Sequence, residues 1–251
     1  MIRIKSDREV GLMREAGRVV AESLDLIRER AGPGVTTGEL DECVAKHIKD
    51  AGGIAAFKGY RGFPAHMCTS VNEEIVHGIP GDRILKEGDI LSVDVGVKLD
   101  GYFGDAAVTI AIGKISKKAG QLIRACKDAL ELATGMLTPG RKLSELCTAI
   151  QQNVENKGYS VIREYVGHGI GHKMHEQPQV PNFALDVRKD GDVMLKRGMV
   201  LALEPMICTG GYDVEVLSDR WTAVTRDRGL AAHFEHTGAV REGGGWVLTE
   251  V

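Results

Sequence analysis

The chain has 251 residues, 43% of them hydrophobic and 27% charged, with a formal net charge of -3. That balance describes an ordinary globular protein, long enough to bury about three quarters of its unfolded surface, and excludes a disordered chain. The slight acidity offers no general attraction to nucleic acid or an anionic membrane, and no stretch approaches the roughly 18 apolar residues of a spanning helix.

The N-terminal run Met1 to Val10, MIRIKSDREV, has no apolar core and is not a secretory signal. Val10, Met13, Ala16, Val20, Leu24 and Ile27 then recur at three-to-four spacing and predict a helix. Pro33-Gly34 marks a turn, and Thr36 with Glu39 forms a capping box opening a second helix. The same grammar returns 106 residues later. Pro33-Gly34 and Glu39-Leu40 map onto Pro139-Gly140 and Glu145-Leu146, and Gly52 maps onto Gly158. The helix before the second turn carries Leu122, Ala125, Ala129 and Leu132, with Ser116 as its cap. A second echo follows each helix pair: Lys86 to Asp94 reads KEGDILSVD and Lys196 to Glu204 reads KRGMVLALE, each a turn feeding a buried strand that ends in a carboxylate. One domain spanning 1–251 is expected, an α+β body of two pseudo-two-fold-related halves, roughly 1–112 and 113–251, with a site where they meet. Five cysteines at irregular spacing, without a Cys-x-x-Cys pair, read as reduced thiols, so the cytoplasm is the expected location.

The chemistry concentrates in a few places. Asp100-Gly101 is a strong hairpin signal between two β-rich runs and brings Asp94 and Asp105 opposite or diagonal to each other. A carboxylate in an apolar strand is costly unless it faces solvent, is paired or meets a cation. Either aspartate alone could face solvent; Glu204, at the place in its strand that Asp94 holds, favours a shared site. Gly167 to His175, GHGIGHKMH, adds three histidines among glycines. His168 is the best ligand candidate, whereas His172 and His175 could be surface or core residues. Phe234 to Thr237, FEHT, supplies Glu235. One imidazole and four carboxylates suffice for two divalent ions sharing a hydroxide.

These motifs, with SVNEEIVHGIP at 70–80, SVDVGVKLDGYFGDAAVT at 92–109 and Leu203-Glu204-Pro205, closely resemble type I methionine aminopeptidases over nearly the whole chain. The resemblance implies the pita-bread fold around a central antiparallel sheet and removal of N-terminal methionine before a small second residue. It implies that Asp94, Asp105, His168, Glu204 and Glu235 ligate two divalent ions (Co, Mn, Fe or Zn), Asp105 and Glu235 bridging, with Glu204 also taking a proton from the bridging water. His175 would steady the scissile carbonyl oxygen, and His77 would contact the substrate near the scissile amide. The methionine pocket carries over to Tyr60, Phe63, Cys68, Met174 and Trp221. Tyr60 and Phe63 lie in a Gly- and Pro-marked loop, where a pocket lip is expected rather than core. Met174 stands where many relatives have an aromatic, and Val76 where a cysteine is common. The implied partners are nascent polypeptides, with transient association with the ribosome, and the implied state is a monomer; no nucleic acid or membrane partner is expected. Zinc-binding N-terminal extensions and type II inserts are not visible.

Two rivals stand beside this reading. Prolidase or aminopeptidase P shares the fold and metal set but usually carries an additional N-terminal domain. A non-catalytic relative that binds protein or RNA would lose metal ligands, and all five are in place here.

Overall fold

The computed structural model describes residues 2–250. Each half opens with two helices. Helix α1 (Asp7–Arg30) buries the whole stripe from Val10 to Ile27, and Ser6 and Glu9 close its start with a reciprocal capping box. Helix α2 (Thr37–Asp50) is capped in the same way by Thr36 and Glu39. Helix α3 (Lys117–Gly135) begins under Ser116, whose hydroxyl accepts from the Ala119 amide. Its buried face carries Leu122, Ala125 and Ala129 but then Leu130 and Ala133, leaving Leu132 half-buried. At 3.6 residues per turn the position four after Ala129 lies nearer the stripe than the position three after it. Helix α4 (Leu143–Glu155) follows Lys142, which gives no side-chain cap.

The first half then contributes β1 (Ile54–Ala55), β2 (Cys68–Val71), β3 (Glu74–Val76), β4 (Ile90–Leu99) and β5 (Tyr102–Ala111). The second contributes β6 (Ser160–Val161), β7 (Gly167–Gly169), β8 (Glu176–Val180), β9 (Val200–Leu203), β10 (Met206–Cys208), β11 (Val214–Val216), β12 (Ala223–Thr225), β13 (Ala231–His233), β14 (Glu235–Ala239) and β15 (Trp246–Val247). The main sheet runs β1-β4-β5-β14-β9-β7-β8, with β2 beside β4 and β15 beside β14, and its pairs are antiparallel. Asp100 and Gly101 both take positive φ (49° and 84°), making the tight two-residue turn that joins Leu99 to Tyr102.

The halves repeat in their hydrogen bonds as well as their letters. The Gly34 amide donates to the Leu85 carbonyl at 2.8 Å, and the Gly140 amide to the Leu195 carbonyl at 2.9 Å. The Thr36–Ile84 bridge has its counterpart in Lys142–Met194. Gly88 and Ile112 pair as Gly198 and Val240 do. The two hairpin-like pairs, β4-β5 and β9-β14, meet at the β5-β14 seam in the middle of the sheet.

Alternation then sorts the faces. Leu91, Val93, Val95, Val97, Ala106, Val108, Leu201 and Leu203 join the four helices in one large apolar core. The intervening residues, Asp94 and Asp105 among them, belong to the opposite face. Among the described residues no helix is long and apolar enough to cross a membrane.

Candidate metal centre

Register alone assembles the site. Asp94 pairs with Ala107, and Ala107 on its other side pairs with Glu235. Leu203 pairs with His236, so Glu204, the next residue, continues that row beside Glu235. Asp105 lies two residues before Ala107 on the same face, diagonal to Asp94. His168 pairs with Ala202 on the neighbouring strand. Asp105, His168 and Glu235 offer ligand atoms within 4.8 Å of one another, and all three are buried. His168 Nε2 stands 3.6 Å from a Glu204 oxygen and 4.0 Å from an Asp105 oxygen. His236, one residue from Glu235, faces the other way, and its Nδ1 meets the Thr249 hydroxyl at 2.8 Å.

The glycines of GHGIG are explained by strand crowding. A Cβ at Gly167 would sit 2.5 Å from the Ala202 carbonyl oxygen, and one at Gly169 would sit 2.2 Å from that of Gln177. Both neighbours press on β7, so only a residue without a side chain fits on either side of His168.

The electrostatics are those of a cation site. Burial is the leading cause that lifts all four carboxyls: Asp94 up to about 7, and Asp105, Glu204 and Glu235 well above the usual carboxylate range. Mutual repulsion adds to the rise in Asp105, Glu204 and Glu235. Among the described residues, Asp94 Oδ1, Asp105 Oδ1 and Glu235 Oε1 are buried and accept no hydrogen bond. Native proteins rarely leave such atoms unpartnered, and divalent ions satisfy them. The imidazole fits the same role. Burial holds His168 down near 3, so it is neutral, and its Nδ1 donates to the Gly169 carbonyl at 2.9 Å. That bond leaves the lone pair on Nε2, the nitrogen facing the carboxylates.

A cavity of about 550 Å³ opens over these groups. Asp94, Asp105, His168, Glu204, Glu235, His77, His175, Tyr60, Phe63, Cys68, Met174 and Trp221, the full set expected from the sequence, line it. Phe63 is more than a lip: it is buried and packs edge-on against Trp221, ring centroids 5.1 Å apart. His77 takes a positive φ of 62°, uncommon for a residue with a side chain, and burial lowers it to about 4. His175 stands with its ring 4.2 Å from that of His168. His172 lies elsewhere, its ring tilted against that of Tyr102 with centroids 4.2 Å apart.

Sequence reasoning missed Phe57, Arg61, Tyr165 and His233, which also line the cavity. His233 is buried, held near 3 mainly by burial, and its Nε2 has no partner among the described residues. Its place shows only in the folded repeat. The Thr109 hydroxyl accepts from the His233 amide and donates to its carbonyl, as the Thr237 hydroxyl does for Asp105. His233 thus occupies the place in the second half that Asp105 holds in the first.

Comparison with known proteins agrees with this geometry. The profile of metallopeptidase family M24 matches residues 11–242. The chain belongs to metallopeptidase family M24. It is 48% identical over 251 residues to methionine aminopeptidase 1 of Bacillus subtilis, covering 100% of both chains. It is 49% identical over 250 residues to the methionine aminopeptidase of Clostridium acetobutylicum, covering 99% of each. The crystal structure of methionine aminopeptidase from Thermotoga maritima superposes with a TM-score of 0.96 at 44% identity, covering 100% of both chains. A prolidase from Pyrococcus furiosus shares the fold (TM-score 0.79, 21% identity), and the match covers 99% of this chain and 65% of that one. The α+β pita-bread architecture and the metallopeptidase class expected from the motifs are therefore both found.

Proposed function

We propose that the chain removes N-terminal methionine from nascent proteins and peptides with a small second residue, and that Asp94, Asp105, His168, Glu204 and Glu235 hold two divalent ions. The observation that carries this is that Asp94, Asp105 and Glu235 each keep a buried carboxylate oxygen without a hydrogen bond, set beside a neutral imidazole with its lone pair free. Divalent ions held there supply Lewis-acid polarisation of the scissile carbonyl and an acidified water; Co, Mn, Fe and Zn all suit this donor set.

The chain's own groups do the rest. Glu204, at the edge of the row and the cavity, takes a proton from the attacking water and passes it to the leaving amine. His175 donates to the carbonyl oxygen as it gains charge. His77, neutral through burial, holds the amide by hydrogen bonding rather than by charge. Tyr60, Phe63, Cys68, Met174 and Trp221 enclose the methionine side chain, soft aromatic and sulfur surfaces suiting a thioether. One catalytic domain, 1–251, carries the site, with the halves 1–112 and 113–251 each supplying ligands. The partners are nascent chains, met in transient association with the ribosome, and the working form is a cytoplasmic monomer.

The test is Asp105→Ala and Glu235→Ala, each purified and replenished with divalent metal. Both should lose at least about 100-fold in turnover of Met-Ala-Ser. Wild-type rates in these variants would remove the site assignment.

A further inference from the structure

Tyr60 is more than a wall of the cavity. Its hydroxyl lies 2.8 Å from His175 Nδ1, and the two rings run nearly parallel with centroids 5.4 Å apart. Tyr60 sits in a tight turn that fixes its position. Its amide donates to the Phe57 carbonyl at 2.9 Å, and its carbonyl accepts from Phe63 at 2.9 Å. The Gly59 amide in turn donates to the Phe63 carbonyl, also at 2.9 Å. On the other side, Glu176, next to His175, is anchored by Lys5 at 2.9 Å in a largely buried ion pair. Both partners of the Tyr60–His175 contact are therefore held by their neighbours.

An imidazole has one donor and one acceptor when neutral, and the bond made at one nitrogen decides which proton the other carries. A phenol hydroxyl is the stronger acid of the pair and an imidazole nitrogen the stronger base, so the phenol donates. Among the described residues no other hydrogen bond reaches the His175 ring. We propose that Tyr60 is a positioning residue: its hydroxyl donates to His175 Nδ1 and holds the ring in the Nε2–H tautomer, the form able to donate to a carbonyl oxygen gaining negative charge. The proposal rests on the reading of His175 as the group that meets that oxygen.

The contrast with His168 supports it. There a backbone carbonyl, which can only accept, places the proton on Nδ1 and frees Nε2 as a lone pair. Two adjacent rings, 4.2 Å apart, thus carry opposite tautomers, one a ligand and one a donor.

Two measurements decide it. Nitrogen-15 NMR of the metal-free wild-type protein, with His175→Gln used to assign the ring, should show His175 protonated at Nε2 and unprotonated at Nδ1. A proton on Nδ1 overturns the proposal whether or not the enzyme is active. In metal-loaded protein, Tyr60→Phe should lower kcat for Met-Ala-Ser by roughly 3- to 10-fold, the worth of one hydrogen bond, with KM within about twofold. A raised KM with unchanged kcat would make Tyr60 pocket wall only. A wild-type protein that leaves Met-Ala-Ser intact would instead sink the proposed function, and the NMR result would stand on its own.

Discussion

Asp105 is tied into the sheet through its own backbone, because the Thr237 hydroxyl both accepts from its amide at 3.0 Å and donates to its carbonyl at 2.9 Å. The side chain is thereby aimed at Glu235 and Asp94, where a second and third buried carboxylate repel it. Without a cation, such a cluster of buried carboxyls costs stability. Metal-free Glu235→Gln should therefore be more stable than metal-free wild type, by about 0.5–2 kcal/mol at neutral pH in denaturant unfolding. The same variant should lose activity once metal is added. A less stable metal-free variant would show that the carboxylates are satisfied in some other way. At this scale the sequence was informative where chemistry is loud. Asp94, Glu204 and His168 stood out as charges or imidazoles among apolar residues and glycines. His233 did not, because one histidine in AAHFEH carries no pattern of its own, and only the folded register shows it as the counterpart of Asp105.

The elements that hold the site are helices capped and packed by simple rules. Glu9 closes the capping box of α1, and the Ser6 amide first, then the Ser6 hydroxyl, draw its carboxyl down to about 2. A lowered carboxyl contributes stability that is present above its ordinary value of 4.5 and lost as pH falls through about 2. Glu9→Ala should cost up to about 1 kcal/mol near neutral pH. The gap between variant and wild type should close between pH 4.5 and about 2 in unfolding curves. A gap that persists unchanged at the lowest pH would mean that the carboxylate is not its source. Gly17 shows what the stripe could not reveal. A Cβ there would lie 2.1 Å from the Leu248 carbonyl oxygen, and one at Gly104 would lie 2.8 Å from the Gly17 amide nitrogen. Helix α1 rests on β5 and the C-terminal segment at backbone distance. Gly17→Ala should lower stability by about 1–3 kcal/mol although alanine is the better helix former. A gain in stability would mean that the contact relaxes freely. Periodicity predicts that a helix face is buried; it does not report how close the buried surface comes, so this contact was invisible in the sequence. The misplaced end of the α3 stripe, Leu132 for Ala133, has a different origin, the angle at which each position meets the buried face.

For the whole molecule, the repeat is the organising fact. The echoed turn words became echoed hydrogen bonds, from Gly34–Leu85 and Gly140–Leu195 to Gly88–Ile112 and Gly198–Val240. The halves meet at the β5-β14 seam, and the carboxylate row crosses it. The seam itself was not legible, because the order of strands in a sheet depends on long-range pairing that no local pattern encodes. Two of the three tyrosines and tryptophans now placed in the cavity, Tyr60 and Trp221, came from family resemblance rather than from residue patterns, and Tyr165 came from the structure. The central claim is that this seam forms a divalent-metal centre that cleaves after an N-terminal methionine. The most direct test is to load the purified wild-type chain anaerobically with Fe, Mn, Co or Zn in turn and follow release of the first residue from Met-Ala-Ser and from Ala-Pro. Metal-dependent release of methionine, abolished by chelation, is expected, with Ala-Pro left intact. Cleavage of Ala-Pro in preference to Met-Ala-Ser, or no cleavage of either with any metal, would contradict it.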